Sequence, residues 1–118
     1  ADWQWGWMHT QPVDEQRAAF DRYVVPTPGR IYMQGAVAPF TQTMAVNFSN
    51  KERAPLCFVA GLADRTVSAS MVKDAYARHV KGGGKTDIIE FPGRTHWICN
   101  QPGWEAVCDA SIEWAEGQ

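Results

Sequence analysis

No stretch of this sequence approaches the run of about 18 apolar residues that a membrane-spanning helix needs. Excess charge is missing too: 11 Lys and Arg stand against 13 Asp and Glu, a net charge of -2. Such a balance argues against a nucleic-acid partner and against an anionic membrane surface. The first residues, ADWQWGWMHT, have neither a basic start nor an apolar run, so no signal peptide is expected. Cysteine is sparse, and Cys57, Cys99 and Cys108 form no C-x-x-C pair, which makes structural zinc improbable. An odd set of thiols reads as core cysteines in a reducing compartment, and a cytoplasmic location is expected. Internal repeats are lacking, and low complexity is confined to the glycines of KGGGK.

What is there suits a folded chain. At 118 residues with 45% hydrophobic and 20% charged content, the sequence is long enough for one domain with a core, and too apolar to be disordered. Six tryptophans are many for this length, and three crowd into DWQWGW. They need apolar surface to cover them, either as the wall of a substrate pocket or as packing against a further part of the fold.

The two halves differ in character. QPVDEQRAAFDRYVVP has acidic residues early and a proline stop at Pro26, which predicts a helix over about 13–23. TPGRIYMQGAVAPF suits either helix or strand, and NFSNKER is a polar connector. From residue 54 the signals sharpen. APLCFVAG is an apolar run of strand length, as expected of a strand buried on both faces. SASMVKDAYARHV follows as a helix, with Ser68 or Ser70 as N-cap and an apolar stripe through Met71, Ala75 and Val80. KGGGK ends that helix, and TDIIEF is a second strand. QPGWEAVCDASIEWAEG is a helix with Pro102 near its start, Glu105 in its first turn, and a stripe through Trp104, Val107, Cys108, Ser111 and Ala115.

Strand, helix, strand, helix is a parallel α/β unit. Two short parallel strands make a poor sheet, and LCFV is too apolar for a solvent-facing edge. The second half therefore reads as the end of a larger sheet. Chemistry in such sheets gathers in the loops after the carboxyl ends of strands. Asp64 follows the first strand in AGLADRTVS, and His96 follows the second in FPGRTHW. A carboxylate so placed can fix the tautomer of the imidazole and stabilise its charged form. Singly, Asp64 reads as a turn or capping residue and His96 as a packed polar tip; it is the pairing at consecutive strand ends that points to catalysis. Trp97, directly after His96, either lines a substrate pocket or simply packs. His9 has no comparable context, and His79, near a helix end, reads as a surface residue. KGGGK is no phosphate loop, because a helix precedes it and a strand follows.

The stretch APLCFVAGLADRTVSASMVKDAY, with FPGRTHW and QPGWEAVCDASIEWA after it, resembles the C-terminal end of an α/β-hydrolase. Gly61, Asp64 and Val67 match that family's acid loop, and Gly93 and His96 match its histidine loop. The resemblance covers about residues 54–117, and residues 1–53 resemble part of a helical cap with a connector only loosely. It implies a partial α/β-hydrolase fold: the last two parallel strands with flanking helices, and part of the cap. It implies Asp64 as orienting acid and His96 as general base, in the chain order nucleophile, acid, histidine. No metal or organic cofactor is implied, and the substrate would be an ester-like small molecule. One element of the pattern is not in the sequence. No G-x-S-x-G elbow occurs, and Ser49, Ser68, Ser70 and Ser111 lack flanking glycines at the two required positions. The chain by itself is therefore expected to be inactive without the upstream, nucleophile-bearing half, and its expected partner is that N-terminal half of the same enzyme or a self-associated copy. Two alternatives stand beside this: a non-catalytic binding module on the same scaffold, and a hydrolase of dehalogenase or epoxide-hydrolase type with an Asp nucleophile.

Overall fold

A computed structural model describes residues 2–41 and 45–118. The chain opens with a single helical turn, α1 (Asp2–Gly6), and then α2 (Val13–Tyr23), which coincides with the helix expected over 13–23. The ambiguous stretch after Pro28 is helical: α3 (Arg30–Val37) runs into a 3₁₀ turn at Ala38–Phe40. The connector over 47–53 is built from side-chain-closed turns, with Asn47 Oδ1 accepting from the Ser49 N–H and Asn50 Oδ1 from the Glu52 N–H.

Beyond it the expected alternation appears as β1 (Leu56–Gly61), α4 (Ala69–Gly82), β2 (Thr86–Phe91) and α5 (Glu105–Glu116). The strands are parallel and in register from Leu56 beside Thr86 to Gly61 beside Phe91. The architecture is thus a small mixed α/β arrangement with a two-stranded parallel sheet. The Arg53 guanidinium ties the strand starts together by donating to the carbonyls of Ala54 and Lys85 and to the Thr86 hydroxyl. Ser68 rather than Ser70 caps α4, its hydroxyl accepting from the Met71 N–H.

Strand alternation sorts the two faces of the sheet. Phe58 meets α4, lying edge-on to Tyr76 at 6.3 Å and tilted over His79 at 5.6 Å, and Glu90 on the same face pairs with Lys73. On the opposite face, Trp114 of α5 donates its indole N–H to Asp87 at 2.8 Å.

Several expectations need correction. The strand read as buried on both faces is only half-buried from Leu56 to Val59, where among the described residues α4 covers one face and α5 the other. The inward face of α4 runs through Val72, Ala75, Tyr76 and His79, and Met71 and Val80 point outward; the spacing 72, 75, 76, 79 is what meets Phe58. His79 is accordingly half-buried between Phe48 and Phe58, not a surface residue. On α5, Val107 is buried and Trp114 half-buried, whereas Trp104 and Ala115 are exposed. Of the thiols read as core, Cys57 and Cys108 are half-buried and Cys99 is exposed. Fully buried apolar residues among those described are few: Met8, Ala60 and Val107.

Candidate functional site

The carboxyl ends of β1 and β2 diverge into two loops that the backbone holds together. The ladder continues past the strands, with the Leu62 N–H donating to the Phe91 carbonyl at 3.0 Å and the Ala63 N–H to the Arg94 carbonyl at 2.9 Å. Gly61 permits this approach: a Cβ there would lie 2.6 Å from the Arg94 carbonyl oxygen, closer than any side chain tolerates.

The first loop positions Asp64. Its Oδ1 accepts from the backbone N–H groups of Thr66 at 2.7 Å and Val67 at 2.9 Å, a side-chain-closed turn that fixes the carboxylate. Its Oδ2 is left to face the second loop. There, Gly93 turns the chain with φ 71°, a left-handed conformation that favours glycine. Thr95 follows, fully buried, and the buried Gln101 holds it: the Gln101 amide oxygen accepts from both the Thr95 N–H and its hydroxyl, while the amide nitrogen donates to the Gly93 carbonyl. The Arg94 guanidinium donates to the carbonyls of Pro102 and Gly103, closing the same loop from outside.

His96 emerges from this frame, and its Nδ1 lies 2.8 Å from Asp64 Oδ2. The His96 side chain is 26% exposed and that of Asp64 12%, so the carboxylate is sheltered and the ring retains an accessible side. With Nδ1 donating to the carboxylate, Nε2 is the nitrogen free to take a proton. The two residues picked from the sequence are therefore brought together, 32 positions apart in the chain.

Trp97, the third residue singled out, joins an aromatic cluster with Trp3 at 5.3 Å, Trp7 at 6.0 Å and Tyr23 at 5.3 Å. Trp7 also stands edge-on to the His96 ring at 4.5 Å, and its carbonyl accepts from the Trp97 N–H. The Thr66 hydroxyl donates to the Gly6 carbonyl, so the tryptophan-rich start is tied to the acid loop as well as to the histidine loop. Its tryptophans Trp3 and Trp7 pack within this chain, Trp3 against Trp97 and Trp7 against the histidine; Trp5 remains exposed, under the Arg65 guanidinium. His9 is also nearby: burial, and secondarily Arg65, pull its pKa below the ordinary value, against an opposing pull from Asp64.

Sequence reasoning missed Trp7, Gln101, Thr95 and Arg94. The density of tryptophan was the one signal for Trp7, and nothing local marks Gln101 as the residue that holds the histidine loop. No serine hydroxyl among the described residues hydrogen-bonds His96; Ser68 caps α4, and Ser111 donates back to the Val107 carbonyl within α5. Described residues contain no group of three His, Cys, Asp or Glu arranged to hold a metal ion. Comparison with protein-family models, with curated proteins and with solved structures found no match to this chain.

Proposed function

We propose that this chain supplies the acid and the histidine of a nucleophile–histidine–acid triad in an α/β-hydrolase-type enzyme acting on ester-like small molecules. The observation that carries the reading is the 2.8 Å contact of His96 Nδ1 with Asp64 Oδ2, made by loops at the carboxyl ends of adjacent parallel strands. Such a pair has a defined use. A nucleophile hydroxyl attacks the ester carbonyl, and its proton passes to His96 Nε2 as the new C–O bond forms. The imidazolium, held by Asp64, returns that proton to the alcohol oxygen as the ester C–O bond breaks. Water then attacks the acyl intermediate with His96 again as base, releasing the acid and regenerating the hydroxyl.

The nucleophile belongs to another polypeptide or to another part of the same protein, since no serine in the 118 residues has the elbow pattern and none described meets His96. Apolar side chains left in solvent support a companion: Ile31 and Met33 of α3 are each at least 60% exposed. A cytoplasmic location suits three unpaired cysteines.

The test is Asp64→Asn in the complete assembly, assayed on p-nitrophenyl acetate. An amide at that position presents the wrong partner to Nδ1 and favours the wrong tautomer, so kcat falls about 10⁴-fold with little change in KM. Turnover within about threefold of the parent overturns the acid assignment.

A further inference from the structure

We propose that the aromatic cleft beside His96 is a binding site for the uncharged aryl portion of a small-molecule ligand. The cleft has a volume of about 400 Å³ and its walls are the rings of Trp3, Trp7, Phe20, Tyr23, Tyr32 and Trp97, completed by two valines and a threonine. That volume lies within the span of about 300–1,000 Å³ typical of small-molecule sites. Two of the six rings are also the neighbours of the histidine: Trp7 stands edge-on to it at 4.5 Å, and Trp97 follows it in the chain. The cleft is thus separated from the His96 ring by the single side chain of Trp7, one of its walls.

The chemistry of the walls selects the class. No Asp, Glu, Lys, Arg or His lines this cleft, whereas the two adjoining clefts carry Glu15 with Arg22, and Arg17 with Asp21. An ionic group entering it would lose water with no counter-charge on the walls; the Arg22 guanidinium, 5.4 Å from the Tyr23 ring, lines the adjoining cleft instead. An aromatic cage for a cation is disfavoured on geometry as well: Trp3 and Trp7 stack on each other at 4.9 Å and 9°, so each spends one face on the other. The ring edges and outer faces that remain are suited to offset and edge-to-face contacts with a further neutral ring.

As a substrate subsite the cleft rests on the hydrolase reading, but an unreactive ligand tests it separately. 2-Naphthol is titrated into the complete assembly with this chain ¹⁵N-labelled, and the indole N–H signals are followed. The signals of Trp3, Trp7 and Trp97 are expected to shift saturably, with those of Trp104 and Trp114 unmoved. 2-Naphthoate and the 2-naphthyl trimethylammonium ion bind at least about tenfold more weakly. Tyr32→Ser and Val25→Ser, at lining positions 73% and 69% exposed, leave the fold intact and weaken naphthol about three- to tenfold, while Trp5→Ser outside the cleft leaves it unchanged. The cleft is overturned by shifts that do not saturate, by charged analogues binding as well as naphthol, or by full affinity in the Tyr32 and Val25 variants. Naphthol binding with no ester turnover by the complete assembly overturns the hydrolase reading alone; turnover with no naphthol binding overturns the cleft alone.

Discussion

Asp64 spends three hydrogen bonds on holding one position: Oδ1 on two backbone N–H groups of its own loop, and Oδ2 on His96. An aspartate that served only as a turn former would need the first two; the third gives Asp64 a partner in the neighbouring loop. The same scale separates the thiols. Burial, and secondarily the Asp87 carboxylate, push the Cys57 thiol above its ordinary pKa, and the thiolate is the reactive form. Cys99 is exposed. Iodoacetamide near neutral pH, followed by peptide mass mapping, should alkylate Cys99 at least about tenfold faster than Cys57, with Cys57 gaining as the pH is raised. Comparable rates would mean that β1 opens readily to solvent. Asp64 and His96 were legible in the sequence because each follows a strand-like run by a few residues. His79 and Cys99 were misread because helical phase and loop exposure are set by what packs opposite, and a sequence shows only one side of each contact.

At the scale of elements, the histidine loop is an eleven-residue excursion from Gly93 to Gly103 organised around one amide side chain. Gln101 satisfies the buried Thr95 N–H and hydroxyl and ties them to Gly93. Gln101→Met keeps the volume but orphans those donors, at a cost of about 2–3 kcal/mol, enough to lower Tm by roughly 8 °C or more. Thermal unfolding followed by circular dichroism checks this, and a drop of less than about 2 °C would show that water replaces the amide without penalty. Element types over 54–118 could be read from the chain, since parallel strands are marked by apolar runs and helices by caps and glycine stops. The α3 segment could not, because Ile31, Met33 and Val37 fit both periods and are left exposed by the other described residues, so that no packing among them selects between the two.

Taken as one body, the molecule is loose for its length. Its accessible surface is 8473 Å², where a compact monomer of this mass has about 6,400 Å². The radius of gyration is 16.4 Å, against about 13.5 Å for a compact domain of the same length. Among the described residues, two strands with unpaired outer edges and an apolar α3 in solvent are the visible source of the excess. A native mass spectrum of the purified protein should therefore show the 13.2 kDa chain bound to a larger companion. The chain on its own, compact and monomeric, would contradict a sheet that needs completion and with it the triad proposal. Self-association without a companion would leave His96 without a nucleophile.

The sequence by itself determined the order of elements from residue 54 onward, the low net charge, and the two polar residues set just beyond the strands. Those properties are local or additive: strand runs, caps and charge counts do not depend on what lies across the fold. Only the tertiary structure decided that Asp64 and His96 meet at 2.8 Å, that Gln101 holds the loop between β2 and α5, and that DWQWGW folds against the histidine. The first and the last join residues far apart in the chain, and the parallel register of β1 and β2 brings the Asp64 and His96 loops side by side, whereas Gln101 closes its own loop through side-chain hydrogen bonds that no local pattern marks.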